Sequence, residues 1–164
     1  MRIRVRFPQE SSIDESKGYL MDLETGIREY NKYCQKLSDK FGDKLPTEFF
    51  LYTPITCWKC KDSILVYTWP NRLLWDEQHD FGNRIPPKSV KINTSLTLGS
   101  SYVSNSCLSC GAIQGDYYLY MIPDAPFWAI EASDDLSSFK EQLIELARRW
   151  GRSNGFSWAF SDSE

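Results

Sequence analysis

Cys57-Trp-Lys-Cys60-Lys61 and Cys107-Leu-Ser-Cys110-Gly111 are the two stretches on which the reading of this 164-residue chain turns. Each is a C-x2-C pair between extended-looking segments; Ile64 to Trp69 follows the first and Tyr117 to Ile122 the second. A C-x2-C turn aims two thiolates at one ion, and two such turns complete a tetrahedral S4 shell, with bonds of about 2.3 Å for zinc. Gly111, directly after the second pair, suits a tight turn with positive φ. The spacing therefore predicts one structural zinc ion on Cys57, Cys60, Cys107 and Cys110, each pair seated between two strands.

Forty-six residues separate Cys60 from Cys107, against roughly 15–20 in the usual motif. Closing the longer loop adds roughly 0.9 kcal/mol, little beside the about 10–16 kcal/mol that structural zinc binding supplies in peptides. The gap reads as an insertion, residues 70–101. The competing readings are two redox dithiols, or four small buried hydrophobes that happen to pair. A redox C-x2-C belongs at a helix start, where the helix dipole lowers the thiol pKa, and neither pair opens an obvious helix.

These two knuckles resemble those of the zinc-ribbon group, which includes rubredoxin-like sites. The resemblance covers the knuckles and their flanking strands. It implies the metal and not an activity, because ribbons of this group bind nucleic acid, bind protein or only staple a fold.

Outward from the knuckles, Arg2, Arg4 and Arg6 alternate with Ile3, Val5 and Phe7, the period of a strand with one buried face. Leu23, Ile27, Tyr30, Cys34, Leu37 and Phe41 form a helical stripe that Gly42 ends. Cys34, on that stripe, reads as a core thiol. Val90-Lys-Ile92 and Leu96-Thr-Leu98 alternate again; Phe127 to Glu131 and Phe156 to Phe160 read as short strands. Ser138 and Glu141 form a capping-box pattern, ahead of a stripe of Phe139, Leu143, Leu146, Ala147 and Trp150 that stops at Gly151. The expected fold is α+β, a mostly antiparallel sheet with two packed helices, in a single domain over 1–164: strand and helix in 1–56, the knuckles in 57–122, strand and helix in 123–164.

The net charge of −3 disfavours a protein that lives by gripping phosphate, which needs a basic face. The charge is uneven: residues 57–110 carry six Lys and Arg against four Asp and Glu, and residues 111–164 carry four against nine. Nine Phe, nine Tyr and six Trp are enough to place rings at the surface, and Tyr67, Trp69, Trp75, Tyr118 and Tyr120 are the candidate partner-binding rings. No run of about 18 apolar residues occurs, and two C-x2-C pairs suit a reducing compartment, so a cytoplasmic protein without a membrane partner is expected.

The leading functional expectation is a zinc-stabilised protein-binding module, an accessory subunit, adaptor or inhibitor of the immunity type. The alternative is a nucleic-acid-binding zinc ribbon, with Arg148, Arg149 and Arg152 around Trp150 joining the N-terminal arginines in a basic-aromatic patch. A third is a metal-dependent enzyme using Asp116, Glu131, Asp134 and Asp135. No nucleophile sits beside a base in the sequence, and His79, the one histidine, is expected to be neither ligand nor base, since four thiolates already complete the shell.

Overall fold

The computed structural model describes residues 22–75 and 81–160. The N-terminal strand pattern of residues 1–7, His79 and the terminal residues 161–164 lie outside these described residues. In chain order the elements are α1 (Leu23–Lys40), β1 (Leu51–Thr56), β2 (Ser63–Thr68), β3 (Val90–Ser95), β4 (Ser100–Ser106), β5 (Ile113–Gln114), a π-helical turn (Tyr117–Met121), α2 (Leu136–Ser153) and a 3-10 turn (Ser157–Phe160). The class is α+β, with two antiparallel sheets, β1-β2 and β3-β4-β5, and two main helices.

Helix α1 starts where Asp22 accepts the Thr25 N–H at 2.7 Å, which satisfies one of the amides a helix start leaves unpaired. Its buried residues include Tyr30, Tyr33, Cys34 and Leu37, and Gly42 (φ +65) carries the chain away after Phe41 caps the end. Cys34 is fully buried, and burial pushes its thiol well up, so it is a core residue.

The β1-β2 hairpin sits between two hydrophobic cores. Tyr52, Leu65, Tyr67 and Trp69 pack toward α1 and Trp158, while Leu51, Ile64 and Val66 face Leu119, Phe127, Phe139 and Leu146. Alternate side chains leave opposite faces of a strand, so a sheet covered on both faces buries nearly every residue. Tyr67 and Trp69 are therefore only 2% exposed, which removes both from the contact surface expected of them.

A two-stranded sheet has two open edges, and here side chains close them at the same register. Tyr52 pairs with Tyr67. On the β1 side the Tyr30 hydroxyl donates to the Tyr52 carbonyl at 3.0 Å. On the β2 side Asn105 of β4 accepts the Tyr67 N–H at 2.7 Å and donates to the Tyr67 carbonyl at 2.9 Å. One side-chain amide thus imitates the peptide of a third strand and joins the two sheets. Pro54, two residues after Tyr52, lies on the edge strand, where a missing N–H leaves no ladder bond unmade.

Five local expectations give way to tertiary contacts. Tyr117 to Met121 is not a strand: the Gly115 carbonyl accepts from both Tyr118 and Leu119, and the Phe127 N–H donates to the Leu119 carbonyl, a coil that buries Asp116 and Leu119 together. Phe127 to Glu131 is a chain of turns that plugs Phe127 into the core beneath the hairpin. Asp135, rather than Ser138, caps α2 by accepting the Ser138 N–H at 3.2 Å. Finally, α2 runs through Gly151, because a Cβ there would meet Ala159 Cβ at 2.7 Å and the Trp158 ring at 2.9 Å. Gly26 of α1 faces the same ring. Trp158 wedges both helices, so the expected last strand is a 3-10 turn.

Candidate metal centre

Each cysteine pair occupies the loop of a hairpin. The first links β1 to β2, and the second links β4 to β5. The loops follow one pattern. The Cys57 N–H donates to the Asp62 carbonyl at 2.8 Å and the Lys61 N–H to the Cys57 carbonyl at 3.0 Å. The Cys107 N–H likewise donates to the Ala112 carbonyl at 2.8 Å, and the Gly111 N–H to the Cys107 carbonyl at 2.7 Å. Lys61 (φ 66) and Gly111 (φ +80) are equivalent in the two loops and both adopt left-handed backbone. No atom lies within 4 Å of a Cβ built on Gly111, so conformation and not space favours glycine there.

The two loops face each other and bring the four sulfurs within 4.8 Å of one another. Cys57 and Cys110 sulfurs are 3.7 Å apart, as are those of Cys60 and Cys107. A tetrahedron with 2.3 Å metal–sulfur bonds has edges of about 3.8 Å. The spacing thus fits four thiolates around one ion. Cys57 and Cys107 are buried, Cys60 and Cys110 exposed, so one side of the site rests on the core and the other meets solvent.

Neighbouring groups tune the thiols unequally. Burial pushes Cys57 up, but the backbone amides of Cys60 and Lys59, with the sulfurs of Cys110 and Cys107, outweigh it and bring the thiol down to about 6. At Cys107 burial prevails over the amides of Cys110 and Ser109 and holds the thiol up at about 12. The buried Gln114 side chain also donates to the Cys57 sulfur at 3.4 Å.

The knuckles are tied to each other and to α1 beyond the sulfurs. The Asp62 carboxylate takes the Ser109 hydroxyl from the opposite loop and pairs with Lys40 at 2.6 Å. The Lys40 ammonium, then Ser109, hold its carboxyl below the usual range. The Trp58 indole N–H reaches the Ile113 carbonyl at 2.8 Å. Sequence reasoning passed over Asp62, Gln114 and Asn105; for the first two, the only available signal was a polar residue within four positions of a ligand.

The other candidates do not converge. Among the described residues, the four cysteines are the group able to hold a metal. Asp116 is fully buried and ion-paired with Arg72, itself 4% exposed. Burial raises its carboxyl, and Arg72 and the Trp75 N–H offset only part of that. Asp135 is committed to capping α2, and Glu131 and Asp134 are exposed. The N-terminal arginines of the basic-aromatic patch lie outside the described residues, and Trp150, Arg149 and Arg152 are engaged elsewhere. Trp150 is buried between Tyr33 and Phe156, 5.4 and 5.3 Å away. Arg149 bonds Glu145 and the carbonyls of Pro126 and Trp128, and Arg152 bonds the Ala159 carbonyl. Of the partner-binding rings, Trp75 and Tyr118 are exposed, while Tyr120 packs on Phe127 at 5.3 Å.

No helix among the described residues is long and apolar enough to cross a membrane. No family model, curated protein or solved structure matches the chain.

Proposed function

We propose that the chain is a zinc-stabilised protein-binding module whose two C-x2-C knuckles form a zinc-ribbon-like site. The observation that carries the metal is the pair of 3.7 Å sulfur separations across the facing loops, matched to a tetrahedral thiolate shell. Zinc is the ion such a shell favours, and four thiolates leave no open position for catalysis. The role is structural: one ion cross-links the β1-β2 hairpin to the β4-β5 hairpin. Protein binding is supported by the rings and aliphatic side chains left at the surface, including Trp58, Trp75, Tyr117, Tyr118 and Trp128, the residue types that interface cores collect.

A nucleic-acid reading draws on one specific feature, the exposed Trp58 beside the exposed Lys59 and Lys61 on the first knuckle. Its binding would weaken steeply with salt, whereas ring-anchored protein contacts would not.

Affinity capture of the tagged protein from lysate of its own host, with and without nuclease, tests the reading. A stoichiometric protein partner that survives nuclease is expected, and material that vanishes with nuclease would replace this reading with the nucleic-acid one. Native mass spectrometry tests the metal: one zinc per chain is expected, falling in Cys107→Ser with loss of stability. Full zinc content and full stability in that variant would refute the shared site.

A further inference from the structure

One acid sits where the two cysteine loops meet. Asp62 closes the first loop through its backbone, its carbonyl accepting the Cys57 N–H at 2.8 Å. One oxygen of its carboxylate accepts the Ser63 N–H at 2.9 Å, and the other accepts the Lys40 ammonium of α1 at 2.6 Å and the Ser109 hydroxyl of the second loop. The loops share one backbone pattern, in which Asp62 corresponds to Ala112 and Lys59 to Ser109. Ala112 has no polar side chain to return the bond, so the contact runs one way. A carboxylate is also the wrong charge to add to a loop that already carries two thiolates. Lys40 offsets it, but the pair is partly exposed, 46% at Lys40 and 31% at Asp62, and exposed ion pairs add little to stability. Neither charge nor stability accounts for Asp62, which leaves its hold on the second loop.

The place of that bond shows what it holds. Cys57 and Cys107 are buried and Cys60 and Cys110 exposed, so the cluster meets solvent at the latter pair. Asp62 follows Cys60 by two residues, and Ser109 immediately precedes Cys110. Ser109 is itself exposed. The bond thus joins the loops beside the open edge of the cluster. It also joins separate sheets, since the first loop belongs to β1-β2 and the second to β4-β5.

We infer that Asp62 is a latch on the metal site: tethered to α1 by Lys40, it grips Ser109, keeps the two loops face to face, and so sets how tightly and how long the ion is retained. Asp62 is a positioning residue and not a ligand. Groups that orient ligands in this way typically carry about 10–100-fold in metal affinity. The inference rests on the reading of the four cysteines as one shared metal site and adds to it the residue that governs retention.

The test loads the full chain with zinc and follows transfer of the ion to the chromogenic chelator 4-(2-pyridylazo)resorcinol, which gives the release rate and, by competition, the affinity. Asp62→Ala removes the carboxylate and keeps the carbonyl that closes the loop; affinity should fall about 10–100-fold and release should quicken. Ser109→Ala should move both in the same direction, and Ser109→Thr, which keeps a hydroxyl, should hold them near the wild-type values. Combining Asp62→Ala with Ser109→Ala should cost no more than Asp62→Ala alone, because the two act through one bond. Glu141→Ala removes an exposed carboxylate on α2 and should change neither quantity, which separates a local bond from a loss of net charge. Unchanged affinity and release in Asp62→Ala and Ser109→Ala, an effect of Asp62→Ala that Ser109→Ala does not share, or additive losses in the double variant would overturn the latch. If Asp62→Ala fails to fold, the two Ser109 variants decide alone. Wild-type protein that takes up no zinc would overturn the metal site itself, a result distinct from all of these.

Discussion

Replacing Asn105 with alanine would test whether one side chain holds the two sheets together. Its amide is fully buried and makes both the 2.7 Å bond from the Tyr67 N–H and the 2.9 Å bond to the Tyr67 carbonyl. Truncation leaves a buried donor and a buried acceptor without partners on β2, since the register directs both away from β1. Each orphaned group costs about 1–3 kcal/mol, so the expected destabilisation is about 2–6 kcal/mol. Urea unfolding of zinc-loaded protein reads this as a lower midpoint at unchanged slope. Hydrogen exchange supplies the local readout: the Tyr67 amide should lose protection by more than the global change accounts for. Asn105→Asp should recover little, because one carboxylate oxygen would then face the Tyr67 carbonyl. A loss under 1 kcal/mol with Tyr67 still protected would show that the sheets are joined by other contacts and refute the reasoning.

Asp116→Ala should cost about 3–5 kcal/mol by leaving the Arg72 guanidinium buried without a counter-charge; unfolding midpoints would show it, and a near-neutral result would mean that Arg72 escapes to solvent. Gly151→Ala should displace Trp158 from the two helices and destabilise by about 1–3 kcal/mol, with a change in tryptophan fluorescence as the check. Metal affinity should fall with pH, because bound thiols must be thiolates. Cys57 is depressed to about 6, so above that pH it is already a thiolate and has no proton to lose on binding, and below it the proton must leave. Proton release per ion, measured by calorimetry in buffers of different ionisation enthalpy, should therefore rise by about one as pH drops through 6; a flat count would refute the depressed Cys57.

The four-cysteine cluster was legible because its chemistry is local. A C-x2-C turn announces its geometry within five residues, and pairing two of them needs only that the loops meet. The helices were legible for the same reason, through stripes such as Tyr30, Cys34 and Leu37. What escaped was set by partners far along the chain. Tyr67 and Trp69 carry the alternation of a half-exposed strand, yet a second core covers the other face of their sheet. Gly151 looks like a helix stop, but its lack of a side chain serves Trp158, which arrives later in the chain. The aromatic residues of Tyr117 to Met121 favour strand by propensity, and the burial of Asp116 against Arg72 overrides it. Asn105 sits in a polar run, Ser104-Asn-Ser106, with nothing nearby to mark it as a stand-in for a strand.

The 46 residues between Cys60 and Cys107 also separate the knuckles in time. At synthesis rates of about 5–20 residues per second, the second pair follows the first by about 2–9 s. During that interval the nascent chain owns half a coordination sphere. The first dithiol is free to hold an ion loosely, to borrow ligands from another molecule, or to oxidise. Metal supply and thiol protection would then matter most at the ribosome, before the second hairpin exists to close the four-cysteine cluster.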